Sequence, residues 1–380
     1  MAPFPASSTI RPDLALVRHH SLRNKLIVGE SLRGSIFEPR RDRLVDGAIN
    51  ATGVIPIVSC CAENAWPRFA NATPLKTSAM KSTGLDVSGR KVGAIINTSS
   101  GGCNSESEAE MLDILKDAGV TNYKTWCGES DQIKRAFAEA ATHKPNMLVV
   151  LGGDGTIRTA AEACTGTGTY LLPLPGGTLN MLPRALYGDA SWQNALKDTL
   201  ADPAIKMLSG GRVADANALF FVAAVVGAPG LWMEAREAMR EGNILDAVHK
   251  GGSAFEAMFD TTIQYFISPE VSGEAEIVTV ICPLVSEQMS DSEQTLEAAA
   301  IAVANAAEVL GLVTAAAFGK WRENKRVTLS KTDRVTVKSS SDIPLFLDGE
   351  RANVGKNAEI TFVPKAVKVI VPANLSTKFS

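Results

Sequence analysis

No stretch of this sequence is apolar enough to span a membrane. A spanning helix needs about 20 apolar residues. The longest uncharged run, Ala216–Met233 (ANALFFVAAVVGAPGLWM), is broken by Gly227, Pro229 and Gly230, so it reads as a buried strand, a turn and a helix start. The first 88 residues lack the apolar core of a secretory signal. Positive charge is not in excess: the formal net charge is −3, and nothing global points to nucleic acid. Six cysteines (Cys60, Cys61, Cys103, Cys127, Cys164, Cys282) form no C-x-x-C pair, and the four histidines do not join them in a ligand pattern. This pattern argues against zinc and, at this length, against a disulfide framework, and a reducing cytoplasm is the expected compartment. Also missing are a G-x-x-x-x-G-K-S/T loop, the G-x-G-x-x-G dinucleotide fingerprint and the protein-kinase catalytic set.

What the chain has is length for two cores and the 45% hydrophobic, 21% charged composition of a soluble globular protein. Residues 1–88, rich in Arg and Ser, read as an N-terminal extension of unknown role. From Lys91 a regular alternation begins. Strands are expected at KVGAIINTSS (91–100), NYKTW (122–126), NMLVVLGG (146–153) and TYLLPLPGGT (169–178). Helices fall between them: one opened by a Ser105–Glu108 capping box with Met111, Leu112, Leu115 and Ala118 inward, and one over 130–143 with Ile133, Phe137 and Ala140 inward. A third starts near Thr156, and a fourth covers 191–200. The unbroken apolar run at 146–153 suits a central parallel strand covered on both faces.

After about Ile205 the rhythm changes. Apolar runs at 218–226, 276–285, 327–329, 334–338, 343–347, 359–363 and 367–371 succeed one another mostly without crossover helices. The alanine-rich 295–317 fits helix and strand equally. The expected fold is an open parallel-sheet α/β nucleotide-binding domain (89–204) followed by an antiparallel β-sandwich domain (205–366), with 367–380 returning to the first.

Three of the four parallel strands end in glycine or small polar residues: NTSSGG (97–102), GGDGT (152–156) and PGGTLN (175–180). Ligands of open parallel sheets bind at that edge. Glycine lets backbone approach a ligand closely, and amides freed beside a helix N-terminus form an anion site suited to polyphosphate. Thr156, Thr178 and Asn180 add side-chain donors. Asp154 amid such amides would repel a phosphate unless a cation or a reacting hydroxyl intervened, which Mg²⁺ with a nucleotide supplies. The simpler role for Asp154 is to cap the helix that follows it, but capping does not call for glycines on both sides.

These motifs resemble the diacylglycerol kinase catalytic-domain family, which includes sphingosine and ceramide kinases and soluble bacterial lipid kinases. That family shows an NPxSG loop, GGDGT, PxGTxNDxAR and a late DGE turn. The counterparts here are Asn97–Gly101, Gly152–Thr156, Pro175–Arg184 and Asp348–Gly349–Glu350, in the same order over residues 91–372. The resemblance implies an α/β nucleotide domain with a β-sandwich, and ATP-dependent, Mg²⁺-dependent phosphorylation of a hydroxyl on diacylglycerol, ceramide or a sphingoid base. It implies that Gly152, Gly153, Gly155 and Thr156 cradle the phosphates. Asn97, Ser99 and Gly101 line the same pocket, Gly177, Thr178 and Asn180 hold the nucleotide, and Thr125 lies near it. Asp154 stands at the metal or the reacting hydroxyl. Glu350 is the proton acceptor, with Asp348 orienting it or the metal. A lipid acceptor further implies peripheral contact with a bilayer from the cytoplasm, and leaves a homodimer open. Thr98 replaces the family's usual proline, Arg158 and Thr159 its Asn-Glu, and Met181 an acidic residue; these departures bear on ribose contacts and nucleotide choice. Three rival readings are a NAD kinase-like enzyme, which shares GGDGT but lacks a comparable DGE ending, a non-catalytic nucleotide-binding regulatory protein, and a scaffold with an incidental glycine turn, which must explain three such loops at one sheet edge.

Overall fold

The computed structural model describes residues 85–227, 262–290, 292–303 and 320–373. The extension before Leu85, the helix start after Gly227 and the alanine-rich stretch beyond Val303 lie outside the described residues. The first half alternates as its periodicity demands: β1 (Val92–Asn97), α1 (Ser107–Asp117), β2 (Tyr123–Gly128), α2 (Ser130–His143), β3 (Met147–Gly152), α3 (Asp154–Cys164), β4 (Tyr170–Pro175), α4 (Met181–Tyr187) and α5 (Trp192–Ala201). The four strands are parallel in the order β2-β1-β3-β4. All six residues of β1 and of β3 are buried, as strands flanked by helices on both faces must be.

The second half supplies β5 (Pro203–Val213), β6 (Ala218–Phe220), β7 (Ala223–Gly227), β8 (Ile263–Ser268), β9 (Val271–Ala275), β10 (Ile277–Ile281), β11 (Leu296–Ile301), β12 (Val327–Thr332), β13 (Arg334–Lys338), β14 (Pro344–Leu347), β15 (Glu350–Asn353) and β16 (Asn357–Pro372). One antiparallel sheet has the order β12-β11-β10-β7-β14-β15. The other antiparallel strands extend the parallel sheet, because the 16-residue β16 lies parallel to β4 at Val369–Leu171 and antiparallel to β5 and β13. The sandwich core lies between the two sheets. Val226, Val280, Ala298 and Leu345 from one meet Ile263, Val335, Val337 and Ile360 from the other. The expected α/β unit followed by an antiparallel β-sandwich is the observed fold.

Several local expectations change. Helix α1 has no Ser105–Glu108 box; Glu106 is its N-cap without a side-chain bond, and Asn104, just before the helix, exchanges hydrogen bonds with Ser107 at its first position. Its buried face carries Ile114 in place of Leu112. Helix α3 begins at Asp154, two residues before Thr156. The two terminal apolar runs are one strand, interrupted by a bulge between Val363 and Val367.

Candidate active site

The three glycine loops meet where β1, β3 and β4 end, and they are tied to one another by backbone and hydroxyl groups. Gly102 N donates to Gly176 O (2.8 Å), and Gly176 N to Gly152 O (3.0 Å). Ser100 Oγ accepts from Gly153 N (2.9 Å), and Ser99 Oγ from Ser130 N (3.2 Å). Asn97 is buried; its Nδ2 donates to Thr156 Oγ1 (2.9 Å) and its Oδ1 accepts from Ser99 N (3.1 Å). The glycines are steric necessities here. A Cβ on Gly177 would lie 2.6 Å from Gly153 Cα, and one on Gly152 would lie 2.7 Å from Thr156 Cβ.

Asp154 is buried at the first position of α3, whose N-cap Gly153 provides no side-chain cap. Its carboxylate accepts from Asn180 N (3.0 Å) and Met181 N (2.6 Å). It therefore bonds the start of α4, in addition to standing at the start of its own helix. Asn180 adopts a left-handed φ of 52° and braces Gly177 twice, accepting from its N–H and donating to its carbonyl, both at 2.7 Å. The first-turn amides of a helix have no intrahelical partner, and α3 opens at this loop cluster, a disposition suited to an anion. Thr178 is exposed at the same rim. Thr125 sits three residues before Gly128, the register partner of Asn97, and its hydroxyl donates to Glu108 Oε1 (2.7 Å).

The DGE turn reaches this cluster from about two hundred residues away. Asp348 and Gly349 both take positive φ, 48° and 84°. A Cβ on Gly349 would meet Leu179 Cδ1 at 3.2 Å and Met181 Sδ at 3.3 Å. Glu350 packs over Gly155: a Cβ there would lie 3.4 Å from its Cγ. Asp348 is fully buried, and its oxygens accept from Phe221 N (2.8 Å), Val222 N (2.8 Å) and Ala223 N (3.0 Å). Burial pushes its carboxyl up to about 6, against the opposing pull of the three amides and of Arg158. Cys103, beside Gly176, is pushed up to about 11 by burial, which makes it a packing residue here rather than a thiolate. Sequence reasoning did not single out Ser100 or Leu179. The Ser99–Ser100 pair gives no local sign of which hydroxyl holds Gly153, and Leu179 acts only through a turn distant in sequence.

Residues 91–213 match the diacylglycerol kinase catalytic domain family model. Among solved structures, a proposed diacylglycerol kinase of Bacillus anthracis str. Sterne superposes with a TM-score of 0.58 at 17% identity, over 74% of this chain and 97% of that one. A diacylglycerol kinase structure from the same organism gives 0.54 at 16%, over 74% and 96%. At such identities the likeness is one of fold. The segment that matches this family model holds all three glycine loops, in agreement with the family resemblance drawn from the motifs.

Proposed function

We propose that the protein is a lipid kinase, transferring the γ-phosphoryl group of ATP to a hydroxyl of a lipid such as diacylglycerol, ceramide or a sphingoid base. The observation that carries this reading is the meeting of three interlocked glycine loops, the uncapped N-terminus of α3 and the Glu350 carboxylate at one sheet edge. Phosphoryl transfer asks chiefly for positioning and charge stabilisation. The amides of Gly155 and Thr156, in the first turn of α3, would receive the polyphosphate. Asn97 would hold Thr156 in place from behind, and Asn180 would hold Gly177. Glu350, packed over Gly155, would take the proton of an acceptor hydroxyl.

No group of three His, Cys, Asp or Glu residues among the described residues forms a metal cage. The carboxylate of Asp154 is the group of this chain that would help to hold a magnesium ion accompanying the nucleotide. Such an ion supplies positive charge against the phosphates. No helix among the described residues is long and apolar enough to cross a membrane, and we take the acceptor to be reached by peripheral contact with a bilayer. The test is transfer from γ-labelled ATP to a panel of dispersed lipids and to NAD. Label should enter a lipid, and Asp154→Asn should abolish this. Label in NAD alone, in nothing, or undiminished in Asp154→Asn would overturn the reading.

A further inference from the structure

Helix α3 meets the second half of the chain at both of its ends. At its start, Gly155 lies under Glu350. Near its far end, Glu162 Oε1 accepts from Leu219 N (2.8 Å), a bond that spans 57 residues of sequence. Strand β6, which holds Leu219, pairs with β5 on one edge and with no other strand among the described residues. An open strand edge presents unpaired N–H groups, and the Glu162 carboxylate closes this one with a charge-assisted bond, stronger than a neutral one. Arg158 Nη1, one turn earlier on α3, donates to the same oxygen (3.3 Å) and ties the side chain down on its own helix. From Leu219 the chain runs into the corner 221–223, whose three amides donate to the Asp348 carboxylate. The attachment is reciprocal: Asp348 N donates to Ala223 O (2.9 Å), and Cys282 N fixes the middle of the corner through Val222 O (2.9 Å). Glu350 follows Asp348 by two residues. The contacts close a ring, from α3 through Glu162 to Leu219, along the corner to Asp348, and through the 348–350 turn back to α3 at Gly155.

We propose that Glu162 is a positioning residue for phosphoryl transfer: by holding Leu219 to α3 it fixes the 221–223 corner relative to the phosphate loop, and through the bonds of that corner to Asp348 it sets where Glu350 stands over Gly155. The kinetic part rests on the lipid-kinase reading; the structural part does not. Glu162 does not touch the reacting atoms, since it lies about two helical turns beyond Gly155. It acts by keeping the acceptor's base and the phosphate-binding helix end in one frame.

The experiment is a double-mutant cycle between Glu162→Ala and Glu350→Gln, with Glu162→Gln as the isosteric control. It is read by steady-state transfer kinetics and by amide hydrogen exchange at residues 219–223. Glu162→Ala should lose about 10²-fold in kcat, the cost of misplacing a reacting group by about 1 Å, without a matching rise in KM for the nucleotide. Glu162→Gln keeps an oxygen that accepts from Leu219 N and should recover most of the loss. In the Glu350→Gln background, where the positioned base is already gone, Glu162→Ala should cost about 3-fold at most. Exchange at Leu219 and at residues 221–223 should lose protection in Glu162→Ala and keep it in Glu162→Gln. Unchanged kcat, a loss confined to KM, an equal loss in both backgrounds, or unchanged protection at Leu219 would overturn the proposal. Wild type inactive on every acceptor would instead sink the lipid-kinase reading, and the exchange result would still decide whether Glu162 ties the corner to α3.

Discussion

Adding one methyl group at Gly177 tests the interlocked loops directly. The new Cβ would sit 2.6 Å from Gly153 Cα, so the second and third loops must part by about 0.8 Å before they regain an ordinary contact. Two bonds span these loops, Gly176 N to Gly152 O and Asn180 N to the Asp154 carboxylate, and both stretch with the separation. Overpacking of this kind costs about 1–3 kcal/mol, and each kcal/mol lowers the melting midpoint by about 2–4 °C in a domain of medium size. The first-turn amides of α3 move with Gly153, so affinity for Mg·ATP should fall as well. Gly101→Ala is the matched control, since its Cβ would have no atom within 4 Å and should leave the midpoint unchanged. Differential scanning fluorimetry and titration calorimetry on both variants are sufficient. If Gly177→Ala melted with Gly101→Ala and bound nucleotide like wild type, the loops would not be coupled as described, and the phosphate-site argument would fail with them.

Three other outcomes follow from the same geometry. Glu350→Gln keeps the packing over Gly155 but removes the base, so kcat should fall about 10²–10⁴-fold with nucleotide affinity unchanged by calorimetry; retained turnover would exclude Glu350 as proton acceptor. Asp348 titrates at about 6 in the folded protein, above an ordinary aspartate. Its contribution to stability is therefore present at acid pH and lost as pH rises through about 6. In urea unfolding, the stability difference between wild type and Asp348→Asn should shift by about 2 kcal/mol in the variant's favour between pH 4.5 and 7, and parallel profiles would refute this. Away from the site, buried Arg322 bonds Glu297 (2.7 and 3.2 Å) and Glu287 (2.9 Å). Arg322→Ala strands these carboxylates and should cost about 3–5 kcal/mol, whereas a cost under about 1 kcal/mol would mean that the cluster behaves like a surface pair.

The parallel half was legible because its signals are local. The apolar run of β3 and the periodicity of α2, whose Ser130–His143 span matches the expectation, are set by neighbours in sequence. Where the sequence misled, a distant residue decided the matter. Strand β5 hides behind Ser209, Gly210 and Gly211, a run that a propensity reading puts in a loop; the two glycines are there because a Cβ on Gly210 would meet the Phe220 carbonyl and one on Gly211 the Phe220 ring. Helix α4 was passed over because Pro183 falls in its first turn, where proline is tolerated but reads as a stop. Pro364 and Lys365 likewise divided β16 into two apparent strands. At the site, the loops were visible as glycine patterns, but the packing of Glu350 on Gly155 and the three amides on Asp348 join segments far apart along the chain. No local pattern encodes them.

Strand β16 constrains how such an enzyme can work. One of its edges is paired with β5 from Ile360 to Pro372, and the other meets β13 at Asn357–Thr361 and β4 at Val369. A hinge between the halves would have to shear this ladder, and its one irregularity is the bulge near Lys365, where φ turns positive at 46°. The angle between the parallel half and the antiparallel half is accordingly laid down when the chain folds, with the bulge as the point where the shared strand can yield.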